Sequence, residues 1–108
     1  MMVLGGEALG VEVGMGGQVA CEDVTFAIAR GPGDDAARMV VGHAQSWVMG
    51  YVSGISETTD EPKIFAGVNE DLISDWLVND CKRHPEFKVV QIARRFITGR
   101  YIANLPRQ

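Results

Sequence analysis

The sequence predicts an all-α fold, a small single domain of about four helices in a bundle-like or orthogonal arrangement. Three stretches of the chain carry apolar residues at spacings of three and four, the period of a helix with one buried face. Helix-breaking residues separate these stretches, at Gly31 to Gly33 and at Pro85. The chain has 108 residues, of which 46% are hydrophobic and 22% charged, and this composition is typical of one globular domain with one core.

Residues 1–20 form a glycine-rich lead, and we expect the helical domain to occupy residues 21–108. The lead has no Lys or Arg ahead of its apolar residues and carries two glutamates, so it matches an export signal poorly. We expect it to be flexible or to form a short strand through Leu9, Val11 and Val13.

The first helix is predicted over Cys21 to Ala29, with two acidic residues in its first turn, where the helix dipole favours them. The Arg-Gly-Pro-Gly sequence that follows ends this helix. Asp34 and Asp35 then suit the N-terminus of a long helix that runs to about Ser56. Its broad buried face is predicted to contain Ala37, Val40, Val41, Ala44, Trp47, Val48, Tyr51, Val52 and Ile55.

Small residues recur at every fourth position of this long helix, at Gly42, Ser46, Gly50 and Gly54. Each glycine inside a helix costs roughly 1 kcal/mol relative to alanine, so a compensating contact is expected. The four residues form a ridge over which a neighbouring helix can pack closely. That neighbour is either the fourth helix or the same helix of a second subunit in a homodimer. The alternative is that some of these positions face solvent.

The segment after the long helix, residues 57–67, contains Pro62 and has no period, which predicts a loop anchored by Ile64 and Phe65. The next helix is predicted to begin with Asn69 as its N-cap.

This third helix carries Trp76 on its apolar face, and His84-Pro85 ends it, because proline disfavours helix in the residue before it. Pro85 is predicted to start the fourth helix as its first residue. The core should contain Trp76 and Phe96 from these two helices, together with Trp47 and Tyr51 from the long one.

Charge is distributed unevenly along the chain. Residues 1–81 hold three basic and thirteen acidic side chains, whereas residues 82–108 hold seven basic and one acidic. We expect the two regions to attract each other within the fold or across a dimer, with a cationic binding surface as the alternative. The net charge of −4 and the short basic stripe argue against nucleic acid as a partner. The uncharged stretch Met39 to Ile55 contains too many glycine and polar residues for a membrane span.

The cysteines and histidines indicate no catalytic or metal site. Cys21, Cys81, His43 and His84 match no known metal-ligand spacing, and no cofactor motif is present, so we expect neither metal nor cofactor. Cys81 and His84 have the spacing of a nucleophile and its base, but no third orienting group stands out, and we expect no enzyme activity. The two cysteines form one disulfide if the protein is exported, or remain buried free thiols if it is cytosolic.

Several short motifs resemble small secreted helical proteins of Gram-negative bacteria, the HdeA/HdeB-like group. The resemblance covers about residues 20–100 and rests on three features: Cys21-Glu22-Asp23 before an apolar residue, the run of Trp47, Gly50, Tyr51 and Gly54, and the helix end Trp76, Cys81 and His84-Pro85. It implies a periplasmic all-α domain with one disulfide between Cys21 and Cys81. The His84-Pro85-Glu86 junction is also similar to immunity proteins that block type VI secreted peptidoglycan amidases.

These resemblances lead to two expected functions, both of them non-enzymatic and periplasmic. The first is an acid-stress, chaperone-like protein that binds unfolded clients and whose neutral-pH dimer comes apart in acid. The second is an immunity-type protein that binds and inhibits a secreted amidase toxin. In both cases the expected partner is a protein.

Overall fold

The computed structural model describes residues 16–105 of the chain. Within these residues four α-helices have defined bounds, and residues 16–18 are helical as well. The helices are α1 (Cys21–Arg30), α2 (Asp35–Thr58), α3 (Glu70–Arg83) and α4 (Val89–Ala103), with the short 3-10 helix η1 (Pro62–Phe65) between α2 and α3. The predicted all-α architecture is therefore confirmed.

A tight turn joins α1 to α2, and local chemistry explains both of its ends. Gly31 ends α1 with a φ of 89°, a conformation that side chains other than glycine's rarely adopt. Asp34 caps α2, because its Oδ1 accepts a hydrogen bond from the amide of Ala37 at 2.9 Å. The side chains of Arg30 and Asp34 pair across the turn at 2.6 Å.

The predicted loop and cap before α3 are also present. Ile64 in η1 is almost fully buried and anchors the segment to the core. Asn69 caps α3, since its Oδ1 accepts a hydrogen bond from the amide of Leu72 at 2.8 Å. Arg100 of α4 donates to the carbonyls of Ile64 and Ala66 at 2.6 and 2.8 Å, which attaches this loop to the last helix.

The predicted start of the fourth helix at Pro85 is wrong, because α4 begins at Val89. Residues 85–88 instead form a turn that pairs with the chain just before α1. The amide of Cys21 donates to the carbonyl of Phe87 at 2.8 Å, and the amide of Val89 donates to the carbonyl of Val19 at 2.9 Å. Helical geometry at Pro85 would remove this pairing, so a long-range contact overrides the local proline signal.

A disulfide joins Cys21 at the start of α1 to Cys81 near the end of α3, as the resemblance implied. Both residues are fully buried, and their Cα atoms are 4.8 Å apart. The bond lies within the main core cluster, where α1, α3 and α4 meet α2. The buried side chains of that cluster include Val24, Ala44, Val48, Val52, Ile73, Leu77, Val89, Ile92, Ala93 and Phe96.

The lead that we assigned to residues 1–20 is only partly described, since residues 1–15, with the predicted strand, lie outside the described residues. The last five residues of the lead pack with the domain. A Cβ atom added at Gly16 would lie 2.5 Å from the Cβ of Trp47 and 2.6 Å from the carbonyl oxygen of His43. The backbone at Gly16 therefore approaches α2 too closely for any other residue.

Candidate functional site

An open groove lies between α1 and the first turns of α2, with a volume of about 490 Å³. Its walls are mostly apolar, and Phe26 at its edge is 64% exposed although it is a large hydrophobic residue. We call this feature the α1–α2 groove. It is lined by Gln18, Val19, Ala20, Asp23, Phe26, Ala27, Arg30, Asp34, Ala36, Ala37 and Val40.

Charged side chains lie at the rim of the α1–α2 groove, and two of them neutralise each other. The amide of Ala37 and the guanidinium of Arg30 both donate to the carboxylate of Asp34, which lowers its pKa below the ordinary value of 3.8. The guanidinium of Arg30 also lies 5.8 Å from the centre of the Phe26 ring. The rim thus holds Phe26 beside a fixed ion pair, while the walls remain apolar.

One wall of the groove belongs to residues 18–20, and the turn before α4 holds this wall in place. Ala20 and Lys88 form an isolated antiparallel bridge, flanked by the backbone hydrogen bonds of Cys21 and Val89 described above. The ammonium of Lys88 also donates to Oε1 of Gln18 at 3.0 Å. The position of this wall therefore depends on the turn.

Beside that turn lies a buried carboxylate, that of Asp80, which is 0% exposed. Arg95 of α4 binds it through two hydrogen bonds, Nε to Oδ2 at 2.6 Å and Nη2 to Oδ1 at 3.2 Å. The Asp80 hydrogen bond raises the pKa of Arg95 further above its ordinary value. Arg83 and His84 approach Oδ1 at 3.7 and 3.9 Å. Asp80 thus pairs with basic side chains of the cationic end, whereas the pairs Arg30–Asp34 and Arg38–Asp35 lie within the acidic part of the chain.

Phe87 lies in the turn, and its ring contacts two side chains that surround the Asp80 carboxylate. The His84 ring stacks on Phe87 with 4.6 Å between ring centres, and the Arg95 guanidinium lies 5.7 Å from the centre of the same ring. Nδ1 of His84 is 3.5 Å from a carboxylate oxygen of Glu86. We call Asp80, His84, Phe87 and Arg95 together the Asp80 cluster.

Among residues 16–105, no second helix makes the predicted close crossing over the small-residue ridge. A Cβ atom added at Gly42, Gly50 or Gly54 meets nothing within 4 Å in the part of the chain that the structure describes. The ridge, including the exposed Ser46, therefore faces outward, and the close approach occurs at Gly16 instead. The alternative, that the ridge forms a homodimer interface, stays a prediction.

The aromatic residues predicted for the core take different positions. Phe96 is buried, and Trp76 packs edge-on against it with 5.6 Å between ring centres. Trp47 and Tyr51 are partly buried and stack on each other at 5.1 Å. All four pack in or against the core cluster.

The described residues offer no site for metal or nucleophilic chemistry of the kind considered from the sequence. Cys81 has no free thiol that could pair with His84, because its sulfur is in the disulfide. Across residues 16–105 no three His, Cys, Asp or Glu side chains are grouped so that they could hold a metal ion. None of the helices in this range is both long and apolar enough to cross a membrane.

Sequence reasoning missed the α1–α2 groove and the burial of Asp80. The groove depends on the angle between two helices, which periodicity does not specify. The sequence did contain an indication that Asp80 is paired. A carboxylate in the last turn of a helix interacts unfavourably with the helix dipole and needs a cation nearby.

Comparison with protein-family models found no match to this chain. Comparisons with curated proteins and with solved structures also found none.

Proposed function

We propose that this chain is a non-enzymatic, periplasmic protein-binding domain that is chaperone-like and holds apolar segments of unfolded proteins in the α1–α2 groove. One observation carries the proposal: the groove is open and apolar, and a largely exposed phenylalanine lies at its edge. Exposed apolar concavities of this size are typical of binding sites, because burying their walls releases free energy.

The disulfide supports the choice of compartment. Disulfides persist in oxidising compartments such as the bacterial periplasm and are rare in the cytosol. The resemblance to the HdeA/HdeB-like group suggests the same compartment, and the fully buried Cys21–Cys81 bond agrees with it.

The large number of carboxylates in the chain supports a response of the protein to acid. When all fourteen carboxylates are protonated, the net charge moves from −4 to about +12, the charge of the ten Lys and Arg and the two His. Such a charge weakens any dimer held by opposite charges and expands weakly held parts of the fold. We therefore propose that acid separates a neutral-pH homodimer.

The groove is tested by a matched pair of surface substitutions. Phe26→Ser removes the exposed ring at the groove, whereas Met39→Ser removes a side chain that is equally exposed, at 62%, but does not line the groove. We expect Phe26→Ser to lose most of the ability to suppress aggregation of reduced α-lactalbumin, and Met39→Ser to keep it. Equal activity of both variants and of the unmodified protein would exclude the groove as the binding site.

The acid response is tested by light scattering between pH 7 and pH 2.5. We expect the mass to halve as the pH falls, and an unchanged monomer at every pH would remove this part of the proposal.

A second candidate function is inhibition of a secreted peptidoglycan amidase. It is favoured by the turn between α3 and α4, where Pro85 and Glu86 are exposed and Glu86 carries the charge of the junction that resembles immunity proteins. Tight, stoichiometric capture of such an amidase, abolished by Glu86→Lys, would support this function in place of the first.

A further inference from the structure

We propose that Asp80 and Arg95, which lie outside the α1–α2 groove, are positioning residues for it. They act through the turn at residues 85–88, which holds the groove wall at residues 18–20. This inference rests on the proposed function of the groove, but the geometry that carries it is independent of what the groove binds.

The first link is the buried carboxylate. A fully buried Asp requires a cation and full hydrogen bonding, because an unpaired charge in the protein interior is strongly unfavourable. Arg95 provides both with its two hydrogen bonds at 2.6 and 3.2 Å. Asp80 therefore fixes the direction of the Arg95 side chain, which is otherwise 43% exposed.

The second link is Phe87. The fixed guanidinium of Arg95 lies over this ring, and His84, whose imidazole is 3.9 Å from Asp80, stacks on it as well. Arg95, which Asp80 binds by two hydrogen bonds, thus contacts the aromatic residue at the centre of the turn. Without Asp80, the Arg95 side chain loses the hydrogen bonds that fix its direction over Phe87.

The third link joins the turn to the groove. The carbonyl of Phe87 accepts the amide of Cys21, and the amide of Val89 donates to the carbonyl of Val19. Val19 and Ala20 line the groove directly. The disulfide secures Cys21 to α3, and Gly16 packs against α2, so the two hydrogen bonds to the turn act on the short segment between these anchors.

The test replaces the carboxylate and follows the groove wall. In Asp80→Asn, we expect the amides of Cys21 and Val89 to exchange with solvent at least about tenfold faster, the loss expected for a charge-assisted hydrogen bond. The amide of Val48 in the middle of α2 should keep its rate. The dissociation constant for reduced, carboxymethylated α-lactalbumin should rise about fivefold or more, since the wall is no longer preorganised.

Three further variants separate positioning from a general loss of stability. Asp75→Asn removes an exposed acid from the same helix and should behave as the unmodified protein does. Arg95→Gln should reproduce Asp80→Asn, and it serves as the test if Asp80→Asn does not fold. Arg95→Lys keeps the charge without the paired hydrogen bonds, so its exchange rates should be intermediate.

Two results would overturn the inference. One is unchanged exchange at Cys21 and Val89 in both the Asp80→Asn and Arg95→Gln proteins. The other is faster exchange by the same factor at all amides, including that of Val48. If the unmodified protein does not bind the α-lactalbumin probe at all, the proposed function fails, while the exchange rates still decide whether the Asp80 cluster positions the wall.

Discussion

Removing the Cys21–Cys81 disulfide should lower the free energy of unfolding by about 4 kcal/mol, since the bond closes a loop with a sequence separation of 60 residues. The loop runs from the first turn of α1 through all of α2 to the last turn of α3, so the unfolded chain gains considerable freedom when it opens. A domain of this size has a total stability of roughly 5–15 kcal/mol, so the loss is a large fraction of it.

The measurement is urea unfolding of a Cys21→Ala/Cys81→Ala variant, followed by circular dichroism. Both residues are fully buried, so the alanines also leave a small void, which adds to the destabilisation. A Cys81→Ala single variant serves as a control, because it opens the loop but retains one sulfur. If the free energy of unfolding of the double variant falls by less than about 1 kcal/mol, the disulfide does not restrain the unfolded chain as proposed.

Four further predictions concern single residues. Asn69→Ala should lower the free energy of unfolding by about 1 kcal/mol in urea titration, because the amide of Leu72 loses its cap, whereas Asn69→Asp should be close to neutral. Gly50→Ala should raise stability by up to about 1 kcal/mol, because nothing in the described chain lies within 4 Å of the added Cβ; a loss of stability would show that the site is covered. If two copies of α2 cross at the ridge, Gly50→Leu should reduce the dimer fraction in light scattering. Because the pKa of Asp34 is lowered in the fold, its contribution to stability is present above pH 3.8 and is lost as the pH falls through the lower folded pKa. Asp34→Asn retains a capping oxygen and should flatten the dependence of stability on pH in that acidic range, and an unaltered pH profile would contradict the role of its charge.

Local signals in the sequence predicted most of the fold. The cap at Asn69 was predicted, and the N-terminus of α2 was placed at Asp34 and Asp35, because a capping side chain binds an amide only three residues ahead. The buried faces of the helices follow from apolar periodicity in the same way. The buried face of α2 was predicted only in part, since four of its nine predicted residues are buried and the other five are half-buried.

Long-range contacts explain what the sequence did not predict. Pro85 is a good first residue for a helix, but Phe87 pairs with Cys21 and Val89 pairs with Val19, both far earlier in the chain, so α4 starts later. The ridge at Gly50 has the right spacing for a close crossing, yet spacing does not reveal whether another helix lies over it. The burial of Asp80 likewise depends on Arg95, which belongs to a different helix.

The central claim is that the α1–α2 groove binds apolar protein segments, and chemical-shift mapping tests it most directly. The isotope-labelled protein would be titrated with reduced, carboxymethylated α-lactalbumin, and the backbone amide signals followed. We predict that the largest shifts occur at groove residues, among them Val19, Asp23, Phe26, Ala37 and Val40. Shifts confined to the outer face of α2 around Gly50, or no shifts at saturating probe, would contradict the account.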